Sequence, residues 1–402
     1  MRVLRKGISR ARGSKGPRVP LSEAGVSRAS RPGAAKSKKQ QGARSQTAQG
    51  GGSKLGAGRA ARHDARKLAG RAGRCKHGVM KHRIVLGRDI PPAAMALLTA
   101  RPDVEVVELL YPPMAEWHAN LPGAHAVLAW TQLMDRPALE IARDLKVVSR
   151  MGVGFDTVDI AACTARRIPV MVANGSNDLS VAEHAMMLLL AIARQAVDVD
   201  RHVKAGGWVP PGMSMVDLAG RTALVVGYGR IGVRVALYLA AFHMKVMVLD
   251  PFYSPHRIAA DGFTPARDLH AALAKADVVT LHCPLRPDTR HLMDEAAFAA
   301  LKPGALLVNT ARGPVVKESA LVAALQSGRL AGAGLDVLEV EPSTAANPLL
   351  ALPNVIISPH TAASTAEGIE RMACTTIQNI LDALDGRPDP SMMVNPEVLA
   401  AR

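Results

Sequence analysis

Gly227-Tyr228-Gly229-Arg230-Ile231-Gly232 has the spacing of a phosphate-binding turn, and it follows the apolar run Thr222–Val226 directly. Glycines let a backbone turn tightly and approach a pyrophosphate. A helix start behind them offers free amide donors and the positive end of a dipole. Asp250 answers the turn eighteen residues beyond Gly232, at the end of Lys245–Leu249. A carboxylate there suits ribose hydroxyls and repels a 2'-phosphate, so NAD is expected and NADP is disfavoured. Gly227, Gly229, Arg230, Ile231, Gly232 and Asp250 are the expected cofactor contacts. Arg230 is open to two readings, a guanidinium that steadies the pyrophosphate or an exposed arginine at a helix start. The glycines alone would fit a tight turn with no ligand; their surroundings favour the nucleotide.

Those surroundings read as strand, turn, helix, strand. Both flanking runs are rich in β-branched residues, and Ile231, Val235, Leu239 and Phe242 recur at helical spacing. Upstream, strands are expected at His82–Leu86, 104–110 and Ala126–Ala129, with a helix at 93–100. A long helical stretch is expected from Val181 through about Lys204, leading into the nucleotide unit near Leu218. Further strands are expected at 278–282, Ala305–Asn309 and 355–358. Helices are expected before Pro303-Gly304, at 321–325 before Gly328, and at 369–384. Alternation of strands and helices predicts α/β architecture with parallel sheets.

A chain of 402 residues, 48% hydrophobic, has room for at least two globular domains. Its net charge of +16 is unevenly placed. Residues 1–79 hold 21 Lys and Arg against two acids, Glu23 and Asp64, whereas the remainder holds 29 against 32 acids. Residues 80–402 therefore give no electrostatic reason to expect a nucleic-acid surface. The leader, dominated by Arg, Lys, Gly, Ala and Ser, shows no sustained apolar period and is expected to be disordered. Three readings compete for it: a polybasic tail for nucleic acid or anionic membrane, a transit peptide, or sequence upstream of the true start. The last is preferred because Met80 immediately precedes the first strand, and nucleic-acid binding by the leader is not expected. No secretory signal is seen, and the longest strongly apolar stretch, 185–193, is too short to span a bilayer, so a cytoplasmic protein is expected. Cys75, Cys163, Cys283 and Cys374 are scattered, and neither a metal site nor a disulfide framework is expected.

Three further segments each place a polar residue just beyond a strand: Asn309-Thr310-Ala311-Arg312-Gly313, Asp336-Val337-Leu338-Glu339-Val340-Glu341-Pro342, and Ser358-Pro359-His360. In an open parallel sheet that edge is where ligands bind, so Arg312, Glu341 and His360 are expected to converge on one cleft. Singly, each has an ordinary reading as a surface cation, a loop acid or a capping histidine. Together with Met151-Gly152-Val153-Gly154-Phe155-Asp156-Thr157-Val158-Asp159, Ser180-Val181-Ala182-Glu183-His184 and Leu281-His282-Cys283-Pro284-Leu285, they make the chain, over roughly residues 80–395, resemble the D-isomer-specific 2-hydroxyacid dehydrogenases.

The resemblance implies an inserted Rossmann NAD-binding domain (178–363) and a discontinuous, flavodoxin-like substrate domain (80–177 and 364–402), preceded by the basic leader (1–79). It further implies NAD-dependent interconversion of a small D-2-hydroxy acid and its 2-keto acid. His360 would be the acid/base, Glu341 would hold its other ring nitrogen, and Arg312 would grip the substrate carboxylate and polarise its carbonyl. Amides of Val153 and Gly154 would complete the carboxylate cradle, the other reading being glycines that only shape a turn. Asp336 would face the nicotinamide carboxamide, with His282 and Thr310 as further cofactor contacts.

Many phosphoglycerate-using relatives carry a basic residue where this chain reads Leu128-Ala129-Trp130-Thr131-Gln132, so a phosphate pocket in that loop is not expected. Trp130 is read either as the wall of a compact pocket or as a core residue. Glu341 argues against formate as substrate, since related formate dehydrogenases replace this acid. The regulatory domain that some phosphoglycerate dehydrogenases append is not expected. Two alternatives remain open: 3-phosphoglycerate dehydrogenase activity, and a non-enzymatic NAD(H)-sensing protein resembling the family's corepressors. A homodimer is expected, with the helix from Val181 read either as an interface element or, through its apolar positions, as intramolecular core.

Overall fold

Burial alternates along the strands in a way that places a packed layer on each face of two sheets. In His82–Leu86, Ile84 and Leu86 enter one core while Val85 enters another. In Thr222–Val226, Leu224 and Val226 pack on one face, and Ala223 and Val225 on the other. Side chains of a strand point alternately to opposite faces, so near-continuous apolar runs of this kind demand cover on both. The computed structural model describes residues 81–400, and the expectation of disorder at 1–79 lies outside them.

The smaller sheet contains β1 (His82–Leu86), β2 (Val104–Glu108), β3 (Ala126–Ala129), β4 (Val147–Arg150) and β5 (Val170–Val172). It is parallel in the order β2-β1-β3-β4-β5. Helices α1 (Pro92–Thr99), α2 (Met114–Asn120), α3 (Arg136–Ile141) and α4 (Ile160–Ala165) connect its strands. The larger sheet contains β6 (Thr222–Val226), β7 (Lys245–Leu249), β8 (Thr264–Ala266), β9 (Val278–Leu281), β10 (Ala305–Asn309), β11 (Leu330–Leu335) and β12 (Val355–Ile357). Its order is β12-β11-β10-β9-β6-β7-β8, again parallel throughout, which is the doubly wound Rossmann arrangement with one added strand. The chain is thus a two-domain α/β protein.

Helices α5 (Asp178–Ala193) and α6 (Ala196–Lys204) precede the larger sheet; α7 (Arg230–Ala241), α8 (Pro255–Ala260), α9 (Leu269–Leu273), α10 (Glu295–Ala300) and α11 (Glu318–Gln326) lie within it. Helix α12 (Ala366–Leu384) returns to the smaller sheet, where Met372, Ala373, Ile377 and Ile380 join the core of Ile84, Leu86 and Val147. Asn395 ties the end of the chain down, its side chain accepting from Val170 N at 2.8 Å.

Two local expectations need correction. The single helix through Lys204 is two helices bent by 60°, broken where Gln195 adopts a left-handed φ of 49°. Periodicity continues across that break, but the backbone turns because Gln195 caps α6 from outside the helical region and its side chain accepts from Ser214 N. Phe242, expected at helical spacing with Ile231, Val235 and Leu239, stands just beyond α7 as its C-cap and is 42% exposed. Strand β11, Leu-Ala-Gly-Ala-Gly-Leu, is absent from the sequence expectations since it lacks β-branched residues; Gly334 is needed there because a Cβ would press on Leu188 of α5 at 2.8 Å. Among the described residues no single helix is long and apolar enough to cross a membrane.

Candidate active site

Order reverses in the larger sheet between β6 and β9, and the crevice beyond their carboxyl ends is where such sheets bind ligands. The glycine turn lies there. Gly227 has φ +93°, and a Cβ on it would stand 2.6 Å from Cys283 N, so this position lets the tips of β6 and β9 approach. A Cβ on Gly232 would collide with the Gly227 carbonyl, so this glycine seats α7 against its strand. Gly229 differs: nothing lies within 4 Å of its Cβ position, and the space above the turn is open. The first helical bond of α7 runs from Val233 N to Gly229 O, so the amides of Arg230, Ile231 and Gly232 precede the ladder. Arg230 itself is exposed and sits opposite Gly175 of the preceding loop.

Asp250 closes the turn from β7. Its carboxylate accepts from Tyr228 N at 2.7 Å and from Phe252 N at 2.8 Å, which fixes its position beside the turn. At the ends of β9 and β10, His282 Nδ1 and Thr310 Oγ1 are buried polar atoms with no partner among the described residues. The other imidazole nitrogen of His282 meets Thr280 Oγ1 at 2.8 Å, and burial lowers the ring to about 3, so it is neutral. An open glycine turn, an acid at the end of β7 and two orphaned polar atoms along the same edge fit a dinucleotide.

His360 and Glu341 come together at 2.8 Å through Nδ1 and Oε2, which leaves Nε2 for a substrate. Glu341 is held from behind by the amide of Leu338, which donates to Oε1 at 2.9 Å. Burial pushes this carboxyl up, but hydrogen bonds from His360 and Leu338 and the charges of His360 and Arg312 bring it below the ordinary range. Glu341 is therefore ionised wherever imidazole titrates. Arg312 reaches the same neighbourhood because Gly313 allows contact with the Leu338 carbonyl that any Cβ would block. Its Nε donates to Asp156 at 2.9 Å and its Nη1 to Ala311 O, and its Nη2 lies against Gly154, where a Cβ would displace it. Val153 is partly exposed, and neither its amide nor that of Gly154 donates within the described chain.

Asp336, at the tip of β11, is 1% exposed, and its side-chain contacts are with its own chain. It accepts from Ser358 Oγ (2.6 Å), Thr361 N (2.9 Å) and Ala362 N (2.9 Å), while its carbonyl accepts from His360 N. These bonds hold the loop on which His360 stands at φ +55°, a conformation non-glycine residues rarely keep without such support. His184 of α5 joins them, with Nε2 2.7 Å from Ser358 Oγ.

Asp156, His184 and Ser358 fall in segments whose spacing is visible in the sequence, but their partners are set by folding alone. Arg150 is a further residue that spacing did not single out. It ends β4 with Met151 O as its side chain's one hydrogen-bond acceptor among the described residues; burial, then the Arg312 charge, lowers it to about 10 against the opposing charge of Asp156. Trp130 is partly buried on the core of the smaller sheet, and two guanidinium groups flank it: Arg88 at 4.6 Å and Arg150 at 5.6 Å from its indole. Loop 128–132 lacks a basic residue, yet the neighbouring strands bring two to it.

Residues 186–362 match the family model described as D-isomer specific 2-hydroxyacid dehydrogenase, NAD binding domain. Over 323 residues the chain is 38% identical to a glyoxylate/hydroxypyruvate reductase B of Salmonella heidelberg, covering 79% of this chain and 99% of that protein. This chain belongs to the D-isomer-specific 2-hydroxyacid dehydrogenase family. Within the family it is also 40% identical over 270 residues to a D-3-phosphoglycerate dehydrogenase of Archaeoglobus fulgidus, covering 67% of this chain. It spans only 51% of that relative's length. Among solved members, a D-lactate dehydrogenase from Aquifex aeolicus complexed with NAD and lactic acid superposes with a TM-score of 0.69 at 27% identity, covering 78% of this chain and 99% of that one. The family's NAD-binding domain accounts for the Rossmann sheet and glycine turn expected from sequence.

Proposed function

We propose that this protein interconverts a small D-2-hydroxy acid and its 2-keto acid, using NAD. The observation that carries this reading is the His360–Glu341 pair at 2.8 Å, beside Arg312 and at the same sheet edge as the glycine turn. The amides of Arg230, Ile231 and Gly232 would hold the pyrophosphate, Asp250 the ribose hydroxyls, and Thr310 and His282 would offer their unpartnered atoms to the nicotinamide half. Bound NAD supplies the hydride donor for reduction and the acceptor for oxidation.

The protein's own part is to bind, orient and move a proton. Arg312 Nη2 and the free amides of Val153 and Gly154 bind the substrate carboxylate, and the guanidinium charge polarises the adjoining carbonyl. His360 Nε2 delivers a proton to the carbonyl oxygen in reduction and takes it from the hydroxyl in oxidation. Glu341 fixes the tautomer by accepting from Nδ1 and stabilises the imidazolium. The smaller, flavodoxin-like sheet with α12 packed on it forms the substrate domain, 80–177 and 364–402, around a cofactor domain at 178–363. Two chains associate as a homodimer.

A panel of 2-keto acids supplied with NADH and NADPH tests the reading. Oxidation of NADH with at least one acid, and slower oxidation of NADPH, is the expected result. Absence of NADH oxidation across the panel would remove the assignment.

A further inference from the structure

We propose that His291 and Glu339, which meet at 2.6 Å, are positioning residues that set the place of Arg312 relative to the His360–Glu341 pair. The inference rests on the hydride-transfer reading above and adds two residues to it.

Loop 336–341 carries three acids, and each meets a histidine from a different segment. Asp336 lies 3.5 Å from His184 of α5, Glu341 lies 2.8 Å from His360, and Glu339 lies 2.6 Å from His291, in the loop after β9. Neither member of the last pair bonds to His360, and an isolated, partly exposed ion pair contributes little to stability. This pair instead closes a ring. Glu339 Oε2 accepts from Glu318 N at 3.0 Å, and Glu318 Oε2 accepts from Glu339 N at 3.0 Å. Two carboxylates brought together in this way repel, so folding stability alone does not favour the arrangement. His291 offsets the repulsion at Glu339, and the Asn347 amide does so at Glu318. Burial pushes the Glu339 carboxyl up, but the Glu318 amide, the His291 hydrogen bond and the charges of His291 and Arg290 hold it below the ordinary range. Both its oxygens therefore accept.

The ring joins the two segments that carry the site. On one side, Glu318 opens α11 and ends the stretch that begins at Arg312. His291 is stitched to that stretch by its backbone, donating to Pro314 O at 2.8 Å, and Met293 donates to Val315 O at 3.1 Å. On the other side, Glu339 lies between Leu338, whose amide donates to Glu341 Oε1 at 2.9 Å, and Glu341 itself. Gly313 packs directly on the Leu338 carbonyl, so the two segments touch where the ring clamps them. The His291 side chain is thus a strut from the Arg312 segment to the segment that presents Glu341 to His360. Its backbone holds a left-handed φ of 53° to make the crossing.

Two substitutions separate the strut from the turn it stands on. Asn suits the left-handed backbone but is too short to reach Glu339, whereas Gln places an N–H donor where Nε2 stands. With NADH and a keto acid that the parent reduces, His291→Asn is expected to lower kcat about tenfold or more and to change KM less than about threefold, because misplaced groups cost the transition state more than binding. His291→Gln is expected to recover most of the loss, and Glu339→Ala to show the same split as His291→Asn. An unchanged kcat in His291→Asn or Glu339→Ala, a loss carried by KM, or an equal loss in His291→Gln overturns the proposal. Proton NMR of the NAD-free protein reads the coupling without turnover. The downfield Nδ1–H resonance of His360, assigned by its absence in His360→Gln, is expected in the parent and in His291→Gln and is expected to be lost in His291→Asn. Its loss there supports the strut even if the parent reduces no keto acid, an outcome that would remove the hydride-transfer reading alone. A resonance unchanged in His291→Asn overturns the strut.

Discussion

His360 carries two burdens, the ring proposed as acid/base and a backbone in the left-handed region, and each is met by a different neighbour. Glu341 holds the ring at Nδ1, and Asp336 holds the loop through Thr361, Ala362 and Ser358. Replacing His360 with Ala is expected to lower kcat on the order of a hundredfold while NAD affinity, read by fluorescence titration, changes little. Glu341→Gln removes a charge that favours the imidazolium, so the alkaline limb of the keto-acid reduction profile is expected to move to lower pH. An unmoved limb would show that Glu341 only positions the ring. His360, Glu341 and Arg312 were all legible as polar residues after strands. Asp156, which engages Arg312 across the cleft from 156 residues away, was not, because nothing local marks an ion pair between distant segments.

At the scale of elements, the glycine turn separates positions the fold needs from positions a ligand needs. Gly227→Ala would place a Cβ against the β9 tip at positive φ, so a loss of roughly 2 kcal/mol or more is expected in urea denaturation. Gly229→Ala meets no protein atom within 4 Å and should denature like the parent, yet its methyl would occupy the space above the turn and weaken NAD binding. Retained NAD affinity in Gly229→Ala would remove the turn as the pyrophosphate site. His282, at the end of β9, gives a pH prediction. Its ring titrates at about 3 in the fold against an ordinary 6.5, so the unfolded chain takes up the proton first. Stability is therefore complete above about pH 6.5 and declines as pH falls toward 3, by up to roughly 1.4 kcal/mol per unit from this group. Denaturation midpoints of NAD-free His282→Gln should fall less between pH 7 and 5 than those of the parent.

Across the whole molecule, large apolar side chains stay uncovered around α6: Trp208 is 82% exposed and Val209 65%, with Val197, Val203, Met213 and Met215 also at the surface. A surface of that kind marks an association site. Light scattering is expected to give a mass near twice the 42.4 kDa chain, and Trp208→Lys to shift it toward the monomer. A single-chain mass for the parent would overturn the dimer. Of the two readings of α5, intramolecular core accounts for Val181, Ala182, Ala185, Met186, Leu188 and Leu189, which are buried within the chain, while Leu179 and Met187 are exposed.

Sequence alone determined the nucleotide turn, the acid that answers it, the α/β alternation and the three polar side chains proposed to carry the chemistry, because each is encoded within a few residues of a strand end. Tertiary structure decided what those residues touch. The break at Gln195, strand β11 held by Gly334 beneath Leu188, the Asp336 bonds under His360 and the approach of Arg88 and Arg150 to Trp130 all depend on contacts between segments far apart in the chain. Local propensity and periodicity carry no record of such contacts, and packing supplies it.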